Sequence, residues 1–145
     1  MKSKSKGKNK HRYTLDTFAV LTYLKEEPGW QKVRDLLWDA FKEKHALFLS
    51  TVNYGEIYYI IYRENGAALA DQIMSYLRLW PVKLVAANED LALVAGRMKA
   101  ENKISYADAY VIATALSKRT AIVTGDAEFK SVQDLIKIVW LPRNR

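Results

Sequence analysis

The chain has 145 residues, half of them hydrophobic, which is typical of one folded domain that needs no disulfides to hold its core. It contains no cysteine, and this excludes a disulfide framework, a thiol nucleophile and cysteine-ligated metal sites. No uncharged stretch approaches the roughly 20 residues of a membrane span. We therefore expect a soluble protein of the reducing cytoplasm.

The formal net charge of +7 is concentrated at the beginning of the chain. Residues 1–12, MKSKSKGKNKHR, contain five lysines, one arginine and no acid. We predict that they form a disordered basic extension and that residues 13–145 form the folded domain. Such an arm can attract RNA without sequence preference, but a solubilising or artificial extension would have the same composition. The rest of the chain is nearly neutral, so charge alone identifies no partner.

Short apolar strands alternate with helices along the remainder of the chain. Strands are predicted at 12–15, 46–49, 82–85, 121–124 and 136–140, and helices at 17–25, 30–41, 53–64, 67–80, 89–100 and 106–118, with a helical turn at 127–130. This alternation predicts an α/β sandwich whose sheet is largely parallel and has helices on both faces. The 53–64 helix is apolar on nearly all sides, so its second face would meet either a core helix or a second subunit.

Four carboxylates fall at the beginnings of predicted helices, and three of them directly follow strands. They are Asp16, Glu56, Asp108 and Asp126. In open parallel sheets, ligands bind at the carboxyl edge of the strands, near the point where strand order reverses. We therefore expect the four carboxylates to meet in one pocket.

Each of these acids also has an ordinary structural interpretation. Asn53-x-x-Glu56 and Ser105-x-x-Asp108 resemble capping boxes, in which the acid accepts a hydrogen bond from a free backbone amide. The other two acids could be simple N-caps, stabilised by the helix dipole. Capping does not require the four acids to lie close together, whereas a shared site does.

If the acids meet, their mutual repulsion demands compensation. Two carboxylates about 5 Å apart repel each other by about 3 kcal/mol at an effective dielectric near 20, so such a cluster takes up protons or binds a cation. Oxygen ligands without cysteine favour a hard cation, Mg²⁺ or Mn²⁺. His11, in the extension, and His45, before a strand, are not expected to be ligands.

An all-carboxylate magnesium site on such a sheet is suited to phosphoryl chemistry, in which metal-activated water is the nucleophile. The chain has no Walker sequence, no Gly-x-Gly-x-x-Gly and no Gly-x-Ser-x-Gly. It therefore lacks the signatures of a P-loop enzyme, a dinucleotide-binding enzyme and an α/β-hydrolase. Hydrolysis of a phosphoester remains. A phosphatase-type hydrolase is disfavoured because Asp16 is not part of an Asp-x-Asp sequence.

Four short motifs resemble the PIN domain in order and spacing. They are Leu15-Asp16-Thr17, Ser50-x-x-Asn53-x-x-Glu56, Ser105-Tyr106-Ala107-Asp108-Ala109 and Thr124-Gly125-Asp126-x-x-Phe129. The resemblance is greatest to the VapC toxins of prokaryotic toxin–antitoxin pairs. It implies a three-layer sandwich with a central five-stranded parallel sheet, and an Mg²⁺- or Mn²⁺-dependent endoribonuclease acting on RNA such as tRNA or rRNA. It also implies a homodimer that is silenced by a cognate VapB-type antitoxin.

The resemblance also implies roles for individual residues. Asp16 and Asp108 correspond to the principal metal ligands, and Glu56 and Asp126 complete the catalytic quartet, either directly or through water. Thr124 corresponds to a hydroxyl residue that supports the last acid, although a β-branched residue ending a strand needs no such role. Glu128 is interpreted as an exposed helix acid. The alternative function is a non-catalytic RNA-binding or assembly module that keeps the same fold.

Overall fold

The computed structural model describes residues 11–142. The strands are β1 (His11–Leu15), β2 (His45–Ser50), β3 (Lys83–Val85), β4 (Ala121–Thr124) and β5 (Ile138–Trp140). The helices are α1 (Thr17–Leu24), α2 (Trp30–Phe41), α3 (Thr51–Asn65), α4 (Ala67–Leu77), α5 (Glu89–Glu101) and α6 (Tyr106–Lys118), followed by a 3₁₀ helix (Ala127–Val132). Most of the predicted basic extension lies outside the described residues.

The five strands form one all-parallel sheet in the order β3-β2-β1-β4-β5. This confirms the predicted α/β architecture with its central parallel sheet. The chain moves outward from β1 to β3 and then returns to the opposite side of β1 with β4 and β5. The strand order therefore reverses between β1 and β4, and this is where a parallel sheet offers a ligand site at its carboxyl edge.

Alternate side chains of the strands face two separate cores. Leu47 and Leu49 of β2 join the core formed with α1 to α4, whereas Phe48 between them joins the core formed with α5, α6 and the 3₁₀ helix. Ile122 and Val123 of β4 divide in the same way. Because both faces of the sheet are covered, the strands are nearly continuous apolar runs. Within residues 11–142, no helix is long and apolar enough to cross a membrane.

Two α-helix boundaries differ by two residues or more from those predicted. Helix α3 begins at Thr51 rather than Asn53, because the Ser50 side chain accepts a hydrogen bond from the Val52 amide and so caps the helix. Helix α4 ends at Leu77, three residues before Trp80. On α3, Ile57 faces the core, whereas Tyr59 and Tyr62 are exposed.

Both histidines lie in strands at the amino edge of the sheet. His11, assigned by its charge context to the extension, is the first residue of β1 and is paired in register with His45 of β2. Their rings are 5.4 Å apart between centroids, and His45 Nε2 lies 3.3 Å from a carboxylate oxygen of Asp39. Strand β1 therefore includes His11 and Arg12, which were assigned to the extension, and both histidines lie away from the acids at the carboxyl edge.

Candidate active site

One pocket at the carboxyl edge of the sheet is lined by all four acids singled out in the sequence. It has a volume of about 310 Å³, and its lining includes Asp16, Glu56, Asp108, Asp126 and Glu128. Asp16 directly follows β1 and Asp126 lies two residues beyond β4, so the pocket stands at the reversal of strand order. Residues that are up to 112 positions apart in sequence are therefore brought together.

Asp16 is both a helix cap and a member of the pocket. Its Oδ1 accepts a hydrogen bond from the Ala19 amide at 2.8 Å, and its Oδ2 accepts one from the hydroxyl of Thr124. The same hydroxyl oxygen accepts a hydrogen bond from the Asp126 amide at 2.9 Å. Thr124 is fully buried, and its hydroxyl connects the first acid of the pocket to the backbone amide of Asp126.

Glu56 reaches the pocket from a different position than predicted. Because Ser50 caps α3, Glu56 lies in the second turn of that helix rather than the first. The capping-box interpretation of Asn53 and Glu56 is therefore wrong. Glu56 Oε1 instead accepts a hydrogen bond from the Thr17 hydroxyl at 2.5 Å, and Asn53 Nδ2 lies 3.4 Å from the same oxygen.

Asp108 does not act as a capping residue, because Glu128 accepts the hydrogen bond that a capping box would give to Asp108. Ser105 caps α6, and its Oγ accepts a hydrogen bond from the Asp108 amide at 3.0 Å. In a capping box the reciprocal bond would run from the Ser105 amide to the Asp108 carboxylate. Here the Ser105 amide donates to Glu128 Oε1 at 3.3 Å. The Asp108 carboxylate can therefore face the pocket.

The tightest group of carboxylates includes a residue that sequence reasoning did not place in the site. Asp108, Asp126 and Glu128 each offer an oxygen, and these three oxygens lie within 4.8 Å of one another. Glu128 is brought there by the 3₁₀ helix, at whose beginning the Glu128 amide donates to Asp126 Oδ1 at 2.9 Å. The feature of the sequence that could have indicated this position is that Glu128 lies two residues after Asp126. Asp16 and Glu56 line the same pocket beside this group.

The electrostatics of the pocket favour bound positive charge. Burial raises the pKa of Asp16 to about 7 despite the hydrogen bonds from Thr124 and Ala19, and the charges of Asp126 and Glu56 raise it further. Burial and the hydrogen bond with Glu128 raise the pKa of Asp108 to about 8. Two acids with such pKa values hold protons near neutral pH unless a cation replaces them. Because every side-chain atom that could ligate a metal here is a carboxylate or hydroxyl oxygen, the residues present fit a hard divalent cation.

A larger cavity lies elsewhere and has a different character. Its volume is about 590 Å³, and its walls come from α1, α2, α4 and the segment after α4, with Trp38, Phe41 and Trp80 among the lining residues. It contains Asp35 but no group of converging carboxylates. The acidic pocket is therefore the candidate active site, although it is the smaller of the two.

Comparisons with known proteins agree with this architecture. A model of the PIN domain family matches residues 13–135. The fold is similar to VapBC2 from Rickettsia felis bound to a DNA fragment from its promoter, with 18% identity, a TM-score of 0.68 and coverage of 90% of this chain and 98% of that chain. It is also similar to DNA-bound VapBC from Salmonella typhimurium, with 15% identity, a TM-score of 0.69 and coverage of 89% and 97%.

A third similar structure is VapC20 from Mycobacterium tuberculosis, a sarcin–ricin loop cleaving toxin. The identity is 19%, the TM-score is 0.65, and 83% of this chain and 94% of that chain are covered. No curated protein matches this chain in sequence. At identities this low, the structural likeness establishes the fold alone.

Proposed function

Because this chain belongs to the PIN domain family, we propose that it is an Mg²⁺- or Mn²⁺-dependent endoribonuclease and the toxin of a VapBC-type toxin–antitoxin pair. One observation carries the catalytic part of this proposal: five carboxylates from four separate segments line a single pocket at the reversal of strand order. Simple helix capping would require no such convergence, and three of the acids, Glu56, Asp108 and Glu128, are not caps of their own helices.

In this proposal, the carboxylates have different roles in holding the cation. Asp108, Asp126 and Glu128, whose oxygens lie closest together, would hold the cation, with Asp16 and Glu56 completing its surroundings. A bound divalent cation supplies activation of water and neutralisation of phosphate charge. Asp16 keeps a fixed orientation because the Ala19 amide and the Thr124 hydroxyl each hold one of its oxygens.

The substrate and partners belong to the same proposal. A phosphodiester is an anion, so it can approach this acidic pocket only when a cation offsets the carboxylate charge. RNA as the substrate is supported by the sarcin–ricin loop cleaving toxin among the similar structures. A VapB-type antitoxin is supported by similar structures that are VapBC complexes. Exposed tyrosines on α3, Tyr59 and Tyr62, are compatible with the homodimer that this family resemblance implies.

The decisive experiment is cleavage of labelled RNA by the purified full chain in Mg²⁺, Mn²⁺ or EDTA. We expect cleavage only with a divalent cation, leaving 5′-phosphate and 3′-hydroxyl ends. Asp16→Asn and Asp108→Asn should each lower the rate by orders of magnitude. Asp134→Asn is the matched control, because Asp134 is exposed and does not line the pocket, and it should cleave like the parent.

Two outcomes would contradict the proposal. Equal cleavage by the parent and both pocket variants would identify a contaminating nuclease. RNA binding without cleavage in either metal would instead support the alternative, a non-catalytic RNA-binding or assembly module with this fold.

A further inference from the structure

Asn53 is a fully buried polar residue beneath the acidic pocket. Its Nδ2 lies 3.3 Å from the Thr17 hydroxyl oxygen, 3.4 Å from Glu56 Oε1 and 3.3 Å from the backbone oxygen of Ala107. The carboxylate and the backbone carbonyl can only accept hydrogen bonds, so the orientation of the amide is fixed by its neighbours. The Asn53 amide group therefore faces acceptors on its own helix, α3, and on α1 and α6.

Each of these contacts adjoins an acid of the pocket. Thr17 directly follows Asp16 at the beginning of α1, and Ala107 directly precedes Asp108 in α6. Glu56 is the third contact. Asn53 thus connects the three segments that carry three of the pocket acids.

Two of these side chains act on the same oxygen atom of Glu56. The Thr17 hydroxyl donates to Oε1 at 2.5 Å, and Asn53 Nδ2 lies 3.4 Å from that oxygen. Neither contact involves Oε2. The two donors therefore fix the rotation of the Glu56 carboxylate and leave its second oxygen available to the pocket.

This arrangement is not what stability alone would favour. Among the described residues, the Asn53 Oδ1 atom is buried without a hydrogen-bond partner. A buried polar atom in that state is destabilising, whereas an apolar side chain of similar size would avoid the desolvation cost. Asn53 is thus explained better by what its amide group does for Glu56 than by its own contribution to folding.

We propose that Thr17 and Asn53 are positioning residues that hold Glu56 ready for the divalent cation. This inference rests on the proposed function and adds two residues to it. A glutamate side chain has several rotatable bonds, and the two donors remove most of that freedom before the cation binds. Groups that orient a metal ligand in this way commonly affect affinity by about 10- to 100-fold.

The test measures Mn²⁺ binding by isothermal titration calorimetry to the full chain, stripped of metal with EDTA and without RNA. Thr17→Val removes the hydroxyl at nearly constant shape and should weaken Mn²⁺ binding about tenfold. Thr17→Ser restores the donor and should bind like the parent. Thr114→Val is the matched control, because Thr114 is fully buried and its hydroxyl has no partner among the described residues. It should leave the affinity unchanged.

A double-mutant cycle separates positioning from a general structural effect. In a Glu56→Ala background, Thr17→Val should cause no further loss of Mn²⁺ affinity, because the carboxylate that it orients is gone. Asn53→Leu, compared in the same two backgrounds, should follow the same pattern. Thermal unfolding of each variant shows whether it is folded at the temperature of the titration.

The outcomes distinguish this inference from the proposed function. If the parent binds Mn²⁺ and Thr17→Val binds it equally well, the positioning role is wrong while the metal site stands. A loss that is just as large in the Glu56→Ala background also overturns the positioning role. If the parent binds no Mn²⁺, the proposed function itself fails and this inference fails with it.

Discussion

Replacing Asp16 with Asn is expected to stabilise the metal-free protein at pH 8 and to change its stability little at pH 5. Asp16 is only 1% exposed, and burial is the main reason that its pKa lies near 7. Asparagine keeps an oxygen that can accept the hydrogen bond from the Ala19 amide. It removes the negative charge that burial and the nearby carboxylates disfavour.

The sign and size of the effect follow from proton linkage. The pKa is about 7 in the folded protein against an ordinary value of 3.8, so the folded state binds the proton more tightly. Its contribution to stability is complete below about pH 4 and is lost as the pH rises to about 7. The whole loss is about 4 kcal/mol, of which about 2.5 kcal/mol falls between pH 5 and pH 8.

The substitution also has a local cost. The Thr124 hydroxyl donates to Asp16 Oδ2, and an amide nitrogen in that place would force the hydroxyl to rearrange, at about 1 kcal/mol. The net gain is then about 3 kcal/mol at pH 8 and less than about 1 kcal/mol at pH 5. For a domain of this size, 3 kcal/mol corresponds to a rise in Tm of roughly 10 °C.

The assay is urea unfolding in EDTA, followed by tryptophan fluorescence at both pH values. Asp134→Asn serves as the control and should match the parent at each pH, since Asp134 is an exposed acid outside the pocket. The reasoning is refuted if Asp16→Asn lowers the free energy of unfolding by a similar amount at pH 5 and pH 8. That result would mean that Asp16 serves simply as a charged helix cap.

Three further predictions concern the pocket and its support. Saturating Mn²⁺ should raise the Tm of the parent in a thermal shift assay, because a ligand that binds only the folded state stabilises it, and an unchanged Tm would argue against a cation site. In Asp108→Asn, Mn²⁺ should leave the Tm at the value of the metal-free sample. Gly125→Ala should destabilise the protein by about 1–3 kcal/mol in urea unfolding, since a Cβ there would lie 2.4 Å from the Phe18 ring, and unchanged stability would contradict that close contact. Thr124→Val should lower RNA cleavage, whereas Thr124→Ser should retain it, because serine keeps the hydroxyl that joins Asp16 to the Asp126 amide. Equal cleavage rates in the two variants would refute this role.

The alternation of buried strands and helices could be predicted because it follows from the spacing of apolar residues within short segments of the sequence. The run Leu47-Phe48-Leu49 is apolar on every side, and each neighbouring residue indeed faces a different core. The order of the strands could not be obtained in this way, because apolar strands carry little information about which neighbour they pair with. The apolar runs predicted five strands, the resemblance to the PIN domain implied the same number, and the sheet confirms it.

Asp16 and Asp126 could be located at the site because both closely follow predicted strands, and in the structure these two strands pair with each other. Glu56 was expected for a partly wrong reason, because the cap that starts α3 is Ser50. The roles of Thr17 and Asn53 could not be predicted. Their hydrogen bonds join residues 36 and 39 positions apart, and so depend on how α1 packs against α3 rather than on any local pattern.

Glu128 shows a different limit of sequence reasoning. As an acid in a short helix, it has one local signal, its spacing of two residues from Asp126, and this spacing does not separate a ligand from a solvated side chain. Its involvement depends on the Ser105 amide, which lies 23 residues earlier and donates a hydrogen bond to Glu128. Only the approach of the 3₁₀ helix to the beginning of α6 brings these groups together.

The most direct test of the central claim is anomalous diffraction from crystals of the full chain soaked in MnCl₂. A shared cation site predicts an anomalous difference peak within coordination distance of the carboxylates of Asp108, Asp126 and Glu128, and no such peak in crystals of Asp108→Asn. A well-ordered pocket without manganese, or manganese bound only at other surfaces of the molecule, would contradict it.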